Sequence, residues 1–281
     1  MECYVHLADV EFSSYEISLK NQSREAFWHI LEGWPTFRDS FRESSWFKRD
    51  WTLQELIALV KVVFYDSHWN EIGPLEQVYM DVAEVTRIGE DWLVGRSHGA
   101  SVAVRMSRAS RRQTKLEEDM AYCLLGLFDV NMPPLYGEGA KKAFYRHQIE
   151  IMKISDDESL FTWISDQGGS GLLAAQPSYF AYSGVVITET YLGSASRPPY
   201  SIKNKGLEIS VPKKHLQLVS QDNRTIWSVL RYSTASTKNA QMHGKALYIE
   251  LYLMEQRSVV RATCAMLKET DTLPDKSEYR T

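Results

Sequence analysis

The spacing of apolar positions changes character near residue 157. Before it, hydrophobic residues recur mostly every three or four positions; after it, short β-branched and aromatic runs dominate. Residues 3–10 (CYVHLADV) form a β-prone run close to the amino end. Ala26, Phe27, Ile30, Leu31 and Trp34 then fall at helical spacing within 23–34. Thr52-Leu53-Gln54-Glu55 fits a capping box, with Thr52 as N-cap and Glu55 reaching back to it, and Trp51 and Leu56 suit a hydrophobic staple. Leu53, Leu56, Ile57 and Val60 make the core stripe of that helix. Val60–Tyr65 reads as a strand, and Leu75, Val78, Tyr79 and Val82 mark a further amphipathic helix.

Residues 101–113 predict a basic helix carrying Arg105, Arg108, Arg111 and Arg112. A second capping box, Thr114 to Glu117, opens a helix with Met120, Ala121, Leu124, Leu125 and Phe128 on its core face. The loop DVNMPPLYGEG (129–139) closes it, since two consecutive prolines cannot continue a helix. Ala140, Ala143, Phe144, Ile151 and Ile154 predict a long helix to about Ser155. Beyond 156–158 the expected strands are 159–165, 183–191, 206–212, 225–233 and 246–254, with a Gly-rich turn at 168–171 and a frayed last dozen residues. The expected fold class is α+β: a mainly helical α/β region over 1–157 followed by a β-rich domain over 158–281.

Composition narrows the classes. The 281 residues are 44% hydrophobic and 24% charged, enough apolar mass for a core and unlike a disordered chain. No apolar run approaches the roughly 20 residues of a membrane span, and the amino end lacks the basic and apolar regions of a secretory signal. Cys3, Cys123 and Cys264 are far apart, with no metal-type spacing, so a disulfide framework is not expected and a reducing, cytoplasmic setting is. The net charge of −4 is uneven. Residues 1–196 hold 18 basic against 28 acidic side chains, and residues 197–281 hold 14 against 8. The acidic first part argues against nucleic acid.

Four strings taken in order resemble the fungal heterokaryon-incompatibility family: CYVHLADV (3–10), SWFKRDWTLQELIAL (45–59), EEDMAYCLLGLFDVNMPPLYGEG (117–139) and AFYRHQIEIMKISDDESLFTW (143–163). Residues from about 136 to 163 also resemble an uncharacterised domain that follows the incompatibility core. The Trp-Gly and Trp-Ile-Asp segments that usually precede the CYVHLADV strand are not found, so the resemblance implies an N-terminally truncated member. Asp50 stands where the family usually has Gly. What the resemblance implies is self/non-self recognition and cell-death signalling through protein partners, with no cofactor. A distant likeness of the family to Toll/interleukin-receptor-like domains, some of which cleave NAD through a glutamate, implies an alternative nucleotide-cleaving effector; a truncated, non-functional fragment is the other alternative.

The residues singled out by these strings are Arg49, Trp51, Thr52, Gln54, Glu55, Glu118, Asp119, Tyr122, Tyr136, Gly137, Glu138 and Gly139. Glu55 at a helix start suits a general base, or simply the capping partner of Thr52, which is the expected role. Asp119 belongs to the acidic triplet Glu117-Glu118-Asp119, which suits an acid/base pair or a cation site and makes Asp119, with Glu55, a catalytic candidate; the expected role is carboxylates favoured by the helix dipole, and Arg49 or Arg105 is able to pair with Asp119 in an internal lock. Tyr136-Gly137-Glu138-Gly139 offers backbone amides to an anion, but without the Lys and Ser of a phosphate loop a plain turn is expected. The arginines at 105–112 are expected on a solvated face or docked on acidic neighbours. The seven histidines show no metal spacing, and Trp46, Trp51, Trp69 and Trp163 are expected as core anchors.

Overall fold

A computed structural model describes residues 2–11, 35–57, 61–93, 100–164 and 172–188, and the backbone of strands lying between 201 and 266. The chain is mixed α+β and divides into two compact units, Met1–Ala100 with Arg108–Ala143, and Ser101–Ser107 with Phe144–Thr281. The predicted helix at 23–34 and the turn at 168–171 lie outside the described residues.

The first unit is built on a three-stranded sheet of β1 (Glu2–His6), β2 (Lys61–Tyr65) and β3 (Glu71–Pro74), in that order. β1 and β2 are parallel, pairing Glu2 with Lys61 through His6 with Tyr65. Parallel neighbours need a long crossover, which holds α1 (Pro35–Glu43), a 3-10 turn (Ser45–Lys48) and α2 (Thr52–Ile57). Val5, Val62 and Phe64 turn inward and are buried, while Tyr4 and His6 alternate to the other face. Phe41, Trp46 and Phe47 close over Phe64 with ring centroids 5.5 to 6.0 Å away, mostly edge-on. β2 and β3 form a hairpin whose loop is tied by Asp66, which accepts the amides of His68 (2.9 Å) and Asn70 (2.7 Å). Trp69 sits there at φ 63° and stacks on His6 at 4.4 Å. Its 59% exposure overturns its expected role as a core anchor.

α3 (Leu75–Thr86) follows β3 directly and buries Leu75, Val78 and Val82 as its spacing predicts. It is fastened to α1 through Asp81, which accepts from Arg38 (2.6 Å) and Arg42 (2.7 Å). After α4 (Glu90–Leu93) and α5 (Val102–Ala109), the first unit resumes at Arg108, which is buried with its guanidinium 4.3 Å from the centre of the Trp92 ring. The solvated basic face is therefore corrected at Arg108: a cation on an indole is less strongly hydrated and tolerates burial.

The single helix expected from Thr114 is also corrected. Two short turns form instead, α6 (Asp119–Tyr122) and α7 (Leu125–Phe128). Leu124 N reaches back only three residues, to Ala121 O, and Asp129 ends the second turn at φ 54°. The core face is read correctly at Ala121, Leu124 and Phe128, which are buried.

α8 (Ala140–Ile154), which belongs to the second unit from Phe144 onward, runs close to its predicted length and buries Phe144 and Ile151, although Ile154 is exposed. Gln148 forms a two-way amide pair with Ala174 (2.8 and 3.0 Å). The strand expected at 159–165 is a 3-10 turn, Glu158–Phe161, because Asp157 accepts the Ser159 amide and caps it. The same carboxylate accepts the Val102 amide at 2.7 Å and anchors the start of α5. β4 (Val186–Thr188), β8 (Thr225–Thr234), β9 (Ala246–Met254) and β10 (Ser258–Met266) pair antiparallel, with β7 (Leu216–Leu218) on β8; β5 (Ser201–Lys203) pairs with β6 (Gly206–Glu208).

Candidate functional site

The residues singled out in the sequence meet in the first unit, where the start of α2, the turn α6 and the loop 135–139 converge. Asp119 is the centre. It is 8% exposed, and its two oxygens accept from different elements: Oδ1 from the Tyr136 hydroxyl at 2.9 Å, Oδ2 from the Trp51 indole at 3.3 Å. These donors replace the expected arginine lock. Arg49 contributes backbone instead, forming a parallel bridge with Gln113, and Arg105 lies in the second unit.

The loop does bind an anion, and the anion is internal. Glu118 Oε1 accepts the amides of Gly137 (2.8 Å) and Gly139 (3.1 Å). Its own backbone amide and then these two hold its carboxyl below the usual range. Both glycines have positive φ, 94° and 86°, which turns their amides inward; other residues adopt this only with strain. Tyr122, buried and edge-on to Tyr136, completes the clasp: its hydroxyl accepts the Leu135 amide at 2.7 Å and donates to Glu138 Oε1 at 2.8 Å. Glu118, Asp119 and Tyr122 thus each take one part of the loop.

At α2 the capping box does not form. The Thr52 hydroxyl lies 2.7 Å from both the Trp46 and Arg49 carbonyls and accepts from Arg112 Nη1 at 2.9 Å. Its side chain is committed to these groups rather than to Glu55, and the first helical amide, Leu53 N, is met by Asp50 O. Trp51 is 43% exposed and directed to Asp119, so neither the staple with Leu56 nor a core-anchor role describes it. Gln54 donates to the Cys123 carbonyl between α6 and α7. Glu55 is exposed and close enough to Cys3 to raise its thiol pKa, after burial.

Beneath these contacts lies a group that sequence patterns miss. Asp50 is 4% exposed, and burial raises its carboxyl to about 7 against the opposing pull of Arg112, with Asp119 adding to the rise. Burial likewise lowers Arg112, to about 10, against the pull of Asp50. Arg112 Nη1 also donates to the Arg49 carbonyl at 2.8 Å. Cys123 is buried beside this pair and its thiol is pushed up, first by desolvation and then by Asp50. An acidic residue where the resembling family usually has Gly was the available signal for Asp50. For Arg112 the signal was the basic run 105–112, expected on a solvated face or docked on acidic neighbours, and Asp50 is such a neighbour.

Chemically, the arrangement clamps two short helical turns and a loop. Among the described residues no three His, Cys, Asp or Glu side chains gather as metal ligands. No described helix is long and apolar enough to cross a membrane.

The comparison with known proteins adds one relation. Vegetative incompatibility protein HET-E-1 of Podospora anserina is 38% identical over 153 residues, covering 54% of this chain. The chain is related to a heterokaryon-incompatibility protein. The match spans 10% of HET-E-1, so whole-protein properties of that relative do not carry over directly. No family profile matches the chain, and no solved structure matches it.

Proposed function

We propose that this chain acts in fungal vegetative incompatibility, contributing to self/non-self recognition and cell-death signalling in the cytoplasm by contacting other proteins. The observation that carries this reading is the similarity to HET-E-1. The site supports it in kind. The carboxylates of Glu118 and Asp119 are engaged by internal donors, as in a structural clasp, while the rings beside them are exposed. Engaged acids and exposed aromatics suit recognition better than proton transfer. The β-rich character expected for 158–281 belongs to the same proposal, as a companion domain to the clasped region.

The test is conditional expression of the chain in a filamentous fungus, scored by vital-dye entry into hyphal compartments. Induction is expected to raise the fraction of dye-permeable compartments, and Glu118→Ala, which frees the loop, is expected to lower it again. No rise on induction of a stably accumulated chain would overturn the reading.

A further inference from the structure

Large apolar side chains left in solvent are informative when they gather in one place. On the segments that build the clasp, Trp51, Leu116, Leu135 and Tyr136 are 43%, 52%, 50% and 58% exposed. Leu116 stands in the turn whose carbonyl accepts the Asp119 amide, and Leu135 immediately precedes Tyr136.

Two features give this surface a chemical preference. The first is what the rings are bonded to. Trp51 and Tyr136 each donate their one polar hydrogen to the same carboxylate. Donation to an anion increases the electron density of a ring, and the negative face of an aromatic ring attracts cations. The bond to Asp119 also raises the pKa of the Tyr136 hydroxyl, so the proton stays on the ring. The second is charge. Residues 116–139 contain Glu117, Glu118, Asp119, Asp129 and Glu138 and no Lys or Arg, while the exposed Lys48, Arg49 and Lys115 border the segments on their amino-terminal sides. The nearby Arg112 points its Nη1 inward to Arg49 O and Thr52. A carboxylate has about four acceptor positions, and two donors occupy Asp119.

We infer that the Trp51–Tyr136 face is a docking site for an arginine side chain presented by a partner protein. Its guanidinium stacks on the exposed rings and is held by the negative field of Asp119 and its acidic neighbours. Arginine fits better than lysine because its planar, weakly hydrated cation stacks on rings and bonds carboxylates from its edge. The apolar Leu116 and Leu135 suit the rim that excludes water around such an anchor. This rests on the proposed action through protein contacts and specifies the chemistry of one contact.

The experiment is isothermal titration of the full chain with a short diarginine peptide and with its citrulline counterpart, which keeps the shape and removes the charge. The diarginine peptide is expected to bind and the citrulline peptide to bind at least about tenfold more weakly. Trp51→Leu keeps an apolar side chain without a π face and leaves net charge unchanged; it is expected to weaken diarginine binding by about threefold to thirtyfold. Trp51→Phe is expected to retain most of it. Each variant's urea midpoint is measured alongside, so that a lost fold is not read as a lost contact, and Trp51→Phe against wild type serves if Trp51→Leu does not fold. Equal binding of the two peptides, or undiminished binding by folded Trp51→Leu, would overturn the inference. Cell death without arginine-selective binding refutes this contact alone, whereas arginine-selective binding without cell death refutes the incompatibility role alone.

Discussion

The Tyr136 hydroxyl donates to Asp119 Oδ1 at 2.9 Å, tying an exposed loop residue to a nearly buried carboxylate 17 positions earlier. Tyr136→Phe removes this donor and little else. A hydrogen bond to a charged group contributes about 1.5–3 kcal/mol when well shielded. Because Tyr136 is 58% exposed, solvent screens the bond and the expected effect is a small drop in the urea midpoint. A midpoint equal to wild type would show that the Trp51 indole alone secures Asp119.

Asp50 makes stability depend on pH in an unusual direction. Its carboxyl rises from an ordinary 3.8 to about 7 in the folded chain. The folded state therefore holds a proton that the unfolded chain releases near pH 4. The stability tied to that proton is complete below pH 4 and is lost as pH rises through about 7. The gap corresponds to roughly 4 kcal/mol at most. Arg112, Asp119 and Cys123 are the charged or titratable groups that act on it. Asp50→Asn is expected to flatten the stability profile between pH 5 and 7.5, measured by urea midpoints. A profile as steep as wild type would assign the slope to another group.

Glycine at 139 is required by its backbone angle and not by crowding. A Cβ there would meet only Glu117 Oε1, at 4.0 Å, but φ is 86°. Gly139→Ala is expected to cost about 1–2 kcal/mol through left-handed strain alone. Gly137, at φ 94° with nothing within 4 Å, should behave alike. A neutral result at both positions would mean that the loop relaxes without releasing Glu118.

Thr52 separates two explanations of the same destabilisation. A capping role predicts that Thr52→Ala and Glu55→Ala both weaken the fold. The observed contacts, to the Trp46 and Arg49 carbonyls and from Arg112, predict a loss of about 1–2 kcal/mol for Thr52→Ala and near neutrality for the exposed Glu55→Ala. Thr52→Ser keeps the hydroxyl and should recover most of the loss. Thermal melts of the three variants decide it, and a large effect at Glu55 would restore the capping box.

Local periodicity determined most of what local energetics control. The helices at 75–86 and 140–154, the strand at 61–65 and the buried faces of Leu53, Leu56, Ala121 and Leu124 follow from spacing alone, because one apolar stripe has one way to meet a core. The strings that resemble the incompatibility family also singled out Trp51, Asp119 and the Tyr136–Gly139 loop, and the structure brings them together. What the sequence could not specify were choices between competing partners. Thr52 had a capping partner three residues away and took carbonyls and a guanidinium instead. Ser159 had strand-forming neighbours, yet its amide went to Asp157. In each case a polar group satisfied by residues distant in sequence, or by a cap, outweighed the regular continuation. Asp50 is the extreme case: an ordinary acid in the sequence acquires a near-neutral pKa only when packing removes its water and leaves Arg112 as an incomplete substitute.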